Sequence, residues 1–285
     1  MSPLKKRKAA DGFSYGLMVF ASAAVCAALV GIIAYIFIQS IGREGHSDTG
    51  AIVLFPGLRS LLPMIVSTAW TIVVSLAIAL PVGIMTAVYL REYASKSRVS
   101  RFLGLAIDTL AGIPSIIYGL FGLLLFCRVL SLGQSIIAGG LTLSIMILPV
   151  IIRTTEEALK TVPDSFREGS LSLGATKFQT IIHAVLPPSL PGILTAAILA
   201  AGRVVGESAP VLFTVGIARN LPKTIFEPGR TLTIHLYYLT KEAIHPDDFA
   251  QAFTAAAVLI ILILVINSIV KIIGKSFGYT GENID

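Results

Sequence analysis

The stretch Pro163-Asp164-Ser165-Phe166-Arg167-Glu168-Gly169-Ser170-Leu171-Ser172-Leu173-Gly174-Ala175-Thr176 lies within a polar segment, Arg153 to His183, that separates two long apolar runs. Its position decides the fold, because a polar, helix-punctuated segment between membrane-length helices is a handle outside the bilayer attached to elements inside it. Pro163-Asp164 reads as a helix start, with Asp164 placed to cap the free amides of the turn beginning at Ser165. Gly174 stops that helix, and Thr176 can cap a second one that carries Phe178, Ile181 and Ile182 up to Leu186-Pro187-Pro188 and the next crossing. Two short helices joined by a glycine make a stiff lever on the following span. The competing reading is an amphipathic loop that rests on the membrane surface without a partner.

Working outward, the composition supports the same class. The chain of 285 residues is 55% hydrophobic and 13% charged, with a mean hydropathy of +0.85, too little polar surface to coat a soluble globule of this size. A helix needs about 20 apolar residues to cross roughly 30 Å of hydrocarbon. Six runs approach or exceed that length: Leu17 to Ile41, Leu61 to Leu90, Phe102 to Leu130, Ser135 to Ile152, Pro191 to Val215 and Ala252 to Ile273. The expected fold is all-α and integral to the membrane, with six transmembrane helices. Its layout is a basic N-terminus at 1–15, a six-span domain at 16–275 that includes the loop 153–183, and a tail at 276–285. The first run exceeds the apolar core of a cleaved signal peptide and reads as a retained helix. Cys26 and Cys127 fall within or at the edge of apolar runs and read as buried hydrophobes, not as a disulfide or metal pair.

Orientation follows from the cations, since Lys and Arg in short loops stay on the cytoplasmic side. With the N-terminus inside, Lys5, Lys6, Arg7 and Lys8 share that side with Arg91, Lys96, Arg98, Arg101, Arg153, Lys160, Arg167, Lys177, Lys271 and Lys275. The short outside loops then hold only Arg43, Arg59 and Arg128. Both termini are expected in the cytoplasm. This retention rule accounts for the net charge of +6, so the partner it implies is membrane lipid and no nucleic acid.

Sites for covalent chemistry are not legible. Gly274-Lys275-Ser276 imitates the end of a phosphate-binding loop, but its required first glycine falls at Ile269 and the fragment ends an apolar helix. His46, His183, His235 and His245 form no His-Glu-x-x-His zinc pair, and no Gly-x-Ser-x-Gly elbow occurs. No catalytic residue, cofactor site or metal site is expected in this chain.

Polar groups within the spans carry the remaining information, because an ionisable residue in hydrocarbon costs about 2.5 kcal/mol or more and marks a pathway. Arg203 sits deep in the fifth run, and Glu207 follows on the same helical face, among Gly202, Gly206, Ser208 and Pro210, which can kink the helix. A buried guanidinium offers forked donors to tetrahedral oxyanions. The alternative is a pair that only neutralises itself so that the helix can insert. Arg153 is either an exit-side anion contact or a plain anchor, and Asp108 reads as a carboxylate snorkelling to the inner interface. The long outside segment, 216–251, carries Arg219, Lys223, Arg230, His235, Tyr237, Tyr238 and Lys241.

Two sets of residues resemble a known family. Glu168-Gly169-Ser170, Gly174, Ala184 and Leu186-Pro187 are similar to the coupling loop of ABC-importer permeases, with the usual Ala-Ala replaced by Gly169-Ser170 and the isoleucine by Ala184. Arg203-Val204-Val205-Gly206-Glu207-Ser208-Ala209-Pro210-Val211-Leu212-Phe213-Thr214 resembles the fifth-span signature of phosphate-specific permeases of the PstA type. Ala111-Gly112-Ile113-Pro114-Ser115-Ile116-Ile117-Tyr118-Gly119-Leu120-Phe121-Gly122 looks like both PstA and its paralogue PstC. The resemblance implies a type I ABC-importer permease in the plasma (inner) membrane of a prokaryote. It implies Glu168, Gly169, Gly174, Leu186 and Pro187 as coupling residues, and Arg203, Glu207 and Arg153 along the translocation route. The implied partners are a PstC-like paralogue, two cytoplasmic ATP-binding subunits that hold ATP and Mg, and an extracytoplasmic phosphate-binding protein. A permease for molybdate or sulfate, or a non-transporting scaffold, are the alternative readings.

Overall fold

The computed structural model of the protein describes residues 3–41, 58–94, 97–242 and 246–276, and all regular structure among them is helical. α1 (Pro3–Ile41) takes in most of the basic N-terminus, and α11 (Pro246–Ser276) packs against it. The expected tail lies beyond Ser276, outside the described residues. α2 (Leu58–Val88) continues through a π-helical turn, Tyr89–Tyr93.

α5 (Ile136–Thr161) is the centre of the bundle, packed against α2 and α8 (Leu186–Gly206). Their shared core includes Ile72, Val74, Leu143, Met146, Ile147, Ile151, Ala200 and Val204. Without a hydrophobic drive between helices inside lipid, close approach depends on small residues: Gly83 leaves room for Ile151, and Gly140 for Val74. Several buried hydroxyls on α2 are absorbed locally, while those of Ser67 and Thr155 have no partner among the described residues. Thr68, Thr71 and Ser75 each donate to the carbonyl four residues back at 2.7 Å, so these polar side chains sit in the core with their donors satisfied. α1 is different, with side chains exposed along most of its length.

Among the described residues, five helices are long and apolar enough to cross a membrane, or six if a bent pair is one span. That pair corrects the third expected span, which is not one helix. α3 (Arg98–Ala111) and the segment Ser115–Val129, comprising α4 (Ser115–Gly122) and a π-helical stretch Leu123–Val129, meet at 99°. Pro114 has no N–H to give to the carbonyl of Leu110 and disfavours helical geometry at Ile113. The Leu110 carbonyl accepts instead from the Ile113 N–H at 3.2 Å and from the Tyr118 hydroxyl at 2.7 Å. The fifth span also differs from expectation: its helix stops at Gly206 instead of running to Val215, and the chain resumes as α9 (Ala209–Thr214).

The polar segments sit at opposite ends of α5, which at about 1.5 Å per residue is about 39 Å long. At its C-terminal end, α6 (Asp164–Ser172) and α7 (Lys177–Thr180) form the handle, and a π-helical turn Ile181–Val185 joins α7 to α8. At its N-terminal end, the loop leading to α10 (Leu232–Glu242) folds over the helix start. The free amides of Ser135, Ile136 and Ile137 donate to the carbonyls of Thr214, Glu227 and Ile225 at 2.9, 3.1 and 2.8 Å.

Candidate translocation site and coupling segment

Both interrupted helices meet in space. Gly119 on α4 abuts α9 so closely that an added Cβ would lie 2.9 Å from both Cα of Pro210 and the Phe213 ring. The two stretches singled out by sequence, 111–122 and 203–214, therefore form one junction. Irregular backbone at membrane depth survives only where protein or a polar cavity satisfies it. Here Glu207 adopts an extended conformation, and its freed carbonyl accepts from the Thr233 hydroxyl at 3.2 Å.

Arg203 occupies the last turn of α8 and Glu207 is the residue that ends it. Their pair is loose, with Nε to Oε1 at 3.8 Å, and the side chains are 34% and 18% exposed. Among the described residues, no hydrogen bond engages the Arg203 guanidinium. Its charge reaches the buried Tyr118, so the third-span bend and the fifth-span break share one electrostatic neighbourhood. A half-committed cation at a helix break can exchange its carboxylate for a passing anion without unfolding anything.

At the other end, α6 is terminated as the sequence predicts. Gly174 adopts φ +85°, Ala175 N–H donates to Ser170 O at 3.2 Å and Gly174 N–H to Leu171 O at 3.0 Å, the double closure of a Schellman motif. Thr176 caps α7, and Gln179 returns the bond in a capping box. The expected cap at the start of α6 is not made. Pro163 holds the N-cap position, and the Asp164 carboxylate instead pairs with Arg167 at 3.0 Å, the stronger charge-assisted partner.

Arg167 bolts this segment to the membrane helices, a role that sequence reading missed. Its guanidinium donates to Glu92 at 2.8 Å, to Val162 O at 2.8 Å and to Leu159 O at 2.9 Å. The hydrogen bond donated to Glu92 pushes the guanidinium pKa further up. The Ser170 and Thr180 hydroxyls, 2.9 Å apart, fasten α6 to α7, and Lys177 lies 4.6 Å over the Tyr93 ring. Glu168 and Gly169 are exposed, as are Phe166, Leu171, Phe178 and Leu173, the last at 91%. Leu186 and Pro187 begin α8, so displacement of the handle passes directly into the helix that carries Arg203.

Arg153 is equally committed. It donates to Asp108 at 2.7 and 2.9 Å, to Glu156 at 2.9 Å and to Gly104 O at 3.0 Å, tying α3 to α5. Asp108 is thus an ion-pair partner as well as an exposed carboxylate. A lone acidic residue on the otherwise cationic face of α3, and Glu92 among basic neighbours, were the only signals for these pairs.

The model for the binding-protein-dependent transport system inner membrane component family matches residues 79–279. A probable ABC transporter permease from Bacillus subtilis, YqgI, is 33% identical over 94% of this chain and 96% of its own length. The PstA phosphate transport system permease of Mycobacterium leprae is 42% identical over 68% of this chain and 64% of its own. Among solved structures, a chain of a bacterial ABC transporter involved in the import of the acidic polysaccharide alginate superposes with a TM-score of 0.71 at 15% identity, covering 98% of this chain and 100% of that one. A chain of the MetNI methionine transporter gives 0.60 at 22% identity, over 78% and 96%. With a full-length relative, a matching family model and the same helical architecture, the chain belongs to the inner membrane components of binding-protein-dependent transport systems, the permeases of ABC importers.

Proposed function

We propose that this permease carries inorganic phosphate inward through the membrane, driven by separate ATP-binding subunits. The observation that carries the reading is the Arg203–Glu207 pair, loose at 3.8 Å and set at the break between α8 and α9. The PstA relatives supply the ion's identity, and they favour phosphate over molybdate or sulfate. Arg203 attracts the oxyanion, while Glu207, when ionised, accepts the P–OH hydrogen of hydrogenphosphate. Sulfate lacks that hydrogen near neutral pH and meets repulsion instead, so discrimination rests on rejection. Arg153 takes the exit-side position, where the anion would have to compete with Asp108 and Glu156.

In this reading both termini and the handle face the cytoplasm. Two ATP-binding subunits hold ATP and Mg, and one of them grips α6 and α7 through Glu168, Gly169 and the exposed Phe166, Leu173 and Phe178. A PstC-like paralogue completes the membrane pore, and an extracytoplasmic phosphate-binding protein delivers the ion to the opposite end. Nucleotide-driven movement of the handle rocks α8 and alternates access to the break.

The test is ATP-dependent uptake of labelled phosphate by vesicles containing this chain and its partner subunits. Uptake that requires ATP and is not displaced by excess sulfate supports the reading. No uptake, or preference for sulfate or molybdate, removes it. Glu207→Gln sharpens the result: sulfate discrimination should fall roughly tenfold, equivalent to about 1.4 kcal/mol. Unchanged discrimination would assign selectivity elsewhere.

A further inference from the structure

At the end of the bundle opposite the handle, a hollow of about 200 Å³ is lined by Arg219, Arg230, His235, Tyr238, Glu242 and Gln251. Two of these side chains are buried yet incompletely bonded. Arg230 is 6% exposed and His235 is 8% exposed. Among the described residues, neither Nη1 of Arg230 nor Nδ1 of His235 has a hydrogen-bond partner. Such orphans cost free energy and call for an acceptor or donor that completes them.

The rest of the wall is built to keep those atoms in place. Arg230 Nε donates to Ile217 O at 3.1 Å, and its guanidinium lies 4.7 Å over the Tyr238 ring, so its plane is fixed and Nη1 is left over. Arg219, exposed at the rim, adds a second positive charge, and Glu242 subtracts one. His235 is neutral at physiological pH, because burial and the two guanidinium groups push its pKa down to about 4. Its Nδ1 therefore either donates to an oxygen or accepts from a hydroxyl, according to tautomer.

We propose that this hollow is a binding site for a tetrahedral oxyanion, inorganic phosphate, separate from the Arg203 break. A multi-oxygen anion satisfies both orphaned nitrogens at once and neutralises the excess cation, and a protonated phosphate can also present its hydroxyl to Glu242. At about 30 Å³ per water, the volume holds an ion with several waters. The site is mechanically linked to the break. Arg230 adjoins Thr231, whose hydroxyl lies 3.0 Å from that of Thr233, which in turn bonds Glu207 O at 3.2 Å. Leu232 N–H donates to Thr68 at 2.9 Å, which fixes the same strip of backbone to α2. The anion's identity rests on the importer reading, and the site supplies a first stop on the route to Arg203.

The test uses the full chain in lipid nanodiscs and measures binding of labelled inorganic phosphate by equilibrium dialysis. Arg230→Gln should weaken this binding at least tenfold, and Arg219→Gln, an exposed change that leaves folding intact, about threefold. Arg203→Gln should remove only the binding that belongs to the break and leave the Arg230-dependent part in place. Wild-type binding in both Arg230→Gln and Arg219→Gln would overturn the proposal, as would a loss seen only in Arg203→Gln. If these variants instead disturb only association with a phosphate-binding protein, the hollow is a docking socket and the proposal fails. The vesicle experiment separates the two readings: binding without ATP-dependent uptake sinks the importer and leaves the site, and uptake without binding at Arg230 does the reverse.

Discussion

The handle end and the broken-helix end of this molecule treat arginine in opposite ways. At the handle, Arg167 and Arg153 spend their donors on carboxylates and backbone carbonyls, with contacts down to 2.7 Å. Toward the other end, Arg203 touches its carboxylate only at 3.8 Å, and Arg230 keeps a buried nitrogen free among the described residues. The same contrast holds for two hollows. The one at the handle, about 420 Å³ and lined by Arg91, Glu92 and Arg167, holds a guanidinium that is already saturated, whereas the one around Arg230 does not. A saturated guanidinium transmits force because nothing can displace its partners cheaply. An unsaturated one is available to a ligand.

Replacing Arg203 is the severest way to break this contrast. Arg203→Gln should lower ATP-dependent phosphate uptake by about 100-fold, about 2.7 kcal/mol, since it removes the charge that meets the anion. Pull-down of the partner subunits should be unaffected. Normal uptake would return Arg203 and Glu207 to a pair that only makes the helix insertable. The next largest effect belongs to His235. Its folded pKa of about 4 lies below the ordinary 6.5, so the unfolded chain binds the extra proton between those values. Stability is complete above pH 6.5 and falls as the pH drops toward 4, by at most about 3 kcal/mol. Thermal unfolding of the chain in detergent should show that loss, and His235→Gln should flatten it. A flat wild-type profile would show that His235 is not held neutral by its burial and the neighbouring cations.

Much of this was legible because it is local. Membrane crossings follow from runs of apolar residues, Gly174 and Thr176 announce the end of one helix and the start of the next, and Gly202 to Pro210 announce a kink. What escaped was either directional or long-range. Hydropathy does not register direction, so the Gly112-Ile113-Pro114 bend vanished inside a long apolar run although proline chemistry was visible there. The Arg167–Glu92 and Arg153–Asp108 bonds join residues 75 and 45 positions apart, and no spacing rule reaches that far. The missed Asp164 cap has the same origin, because a cation one turn on outbid the backbone amides. The meeting of Gly119 with Pro210 could not be read either, since each segment looks like an isolated helix breaker until the fold stacks them.

The handle end makes the complementary claim that its bonds transmit motion and do not hold ligand. Arg167→Gln leaves Glu92, only 8% exposed, without its partner. The expected cost is about 2 kcal/mol, below the 3–5 kcal/mol of a fully buried pair. ATP hydrolysed per phosphate imported should rise, because the handle then moves without α2 and α8. An unchanged ratio with lowered stability would reduce Arg167 to scaffolding. Phosphate binding by the isolated chain should stay at the wild-type level, the result that separates the two ends of the molecule.

The smallest effects come from two glycines a few residues apart, and they test the lever more finely than any charge does. Neither Gly169 nor Gly174 has an atom within 4 Å of a would-be Cβ, so substitution acts through the backbone alone. Gly169 lies inside α6, where alanine should stabilise by about 0.5–1 kcal/mol. Gly174 sits at φ +85°, where alanine should cost about 1–2 kcal/mol. If the handle works by its angle, Gly174→Ala should lower uptake more than its stability change accounts for, since the Schellman closure sets the direction of α7 against α6. If uptake in Gly174→Ala tracks stability alone, the angle carries no information, and coupling resides in the bonds of Arg167.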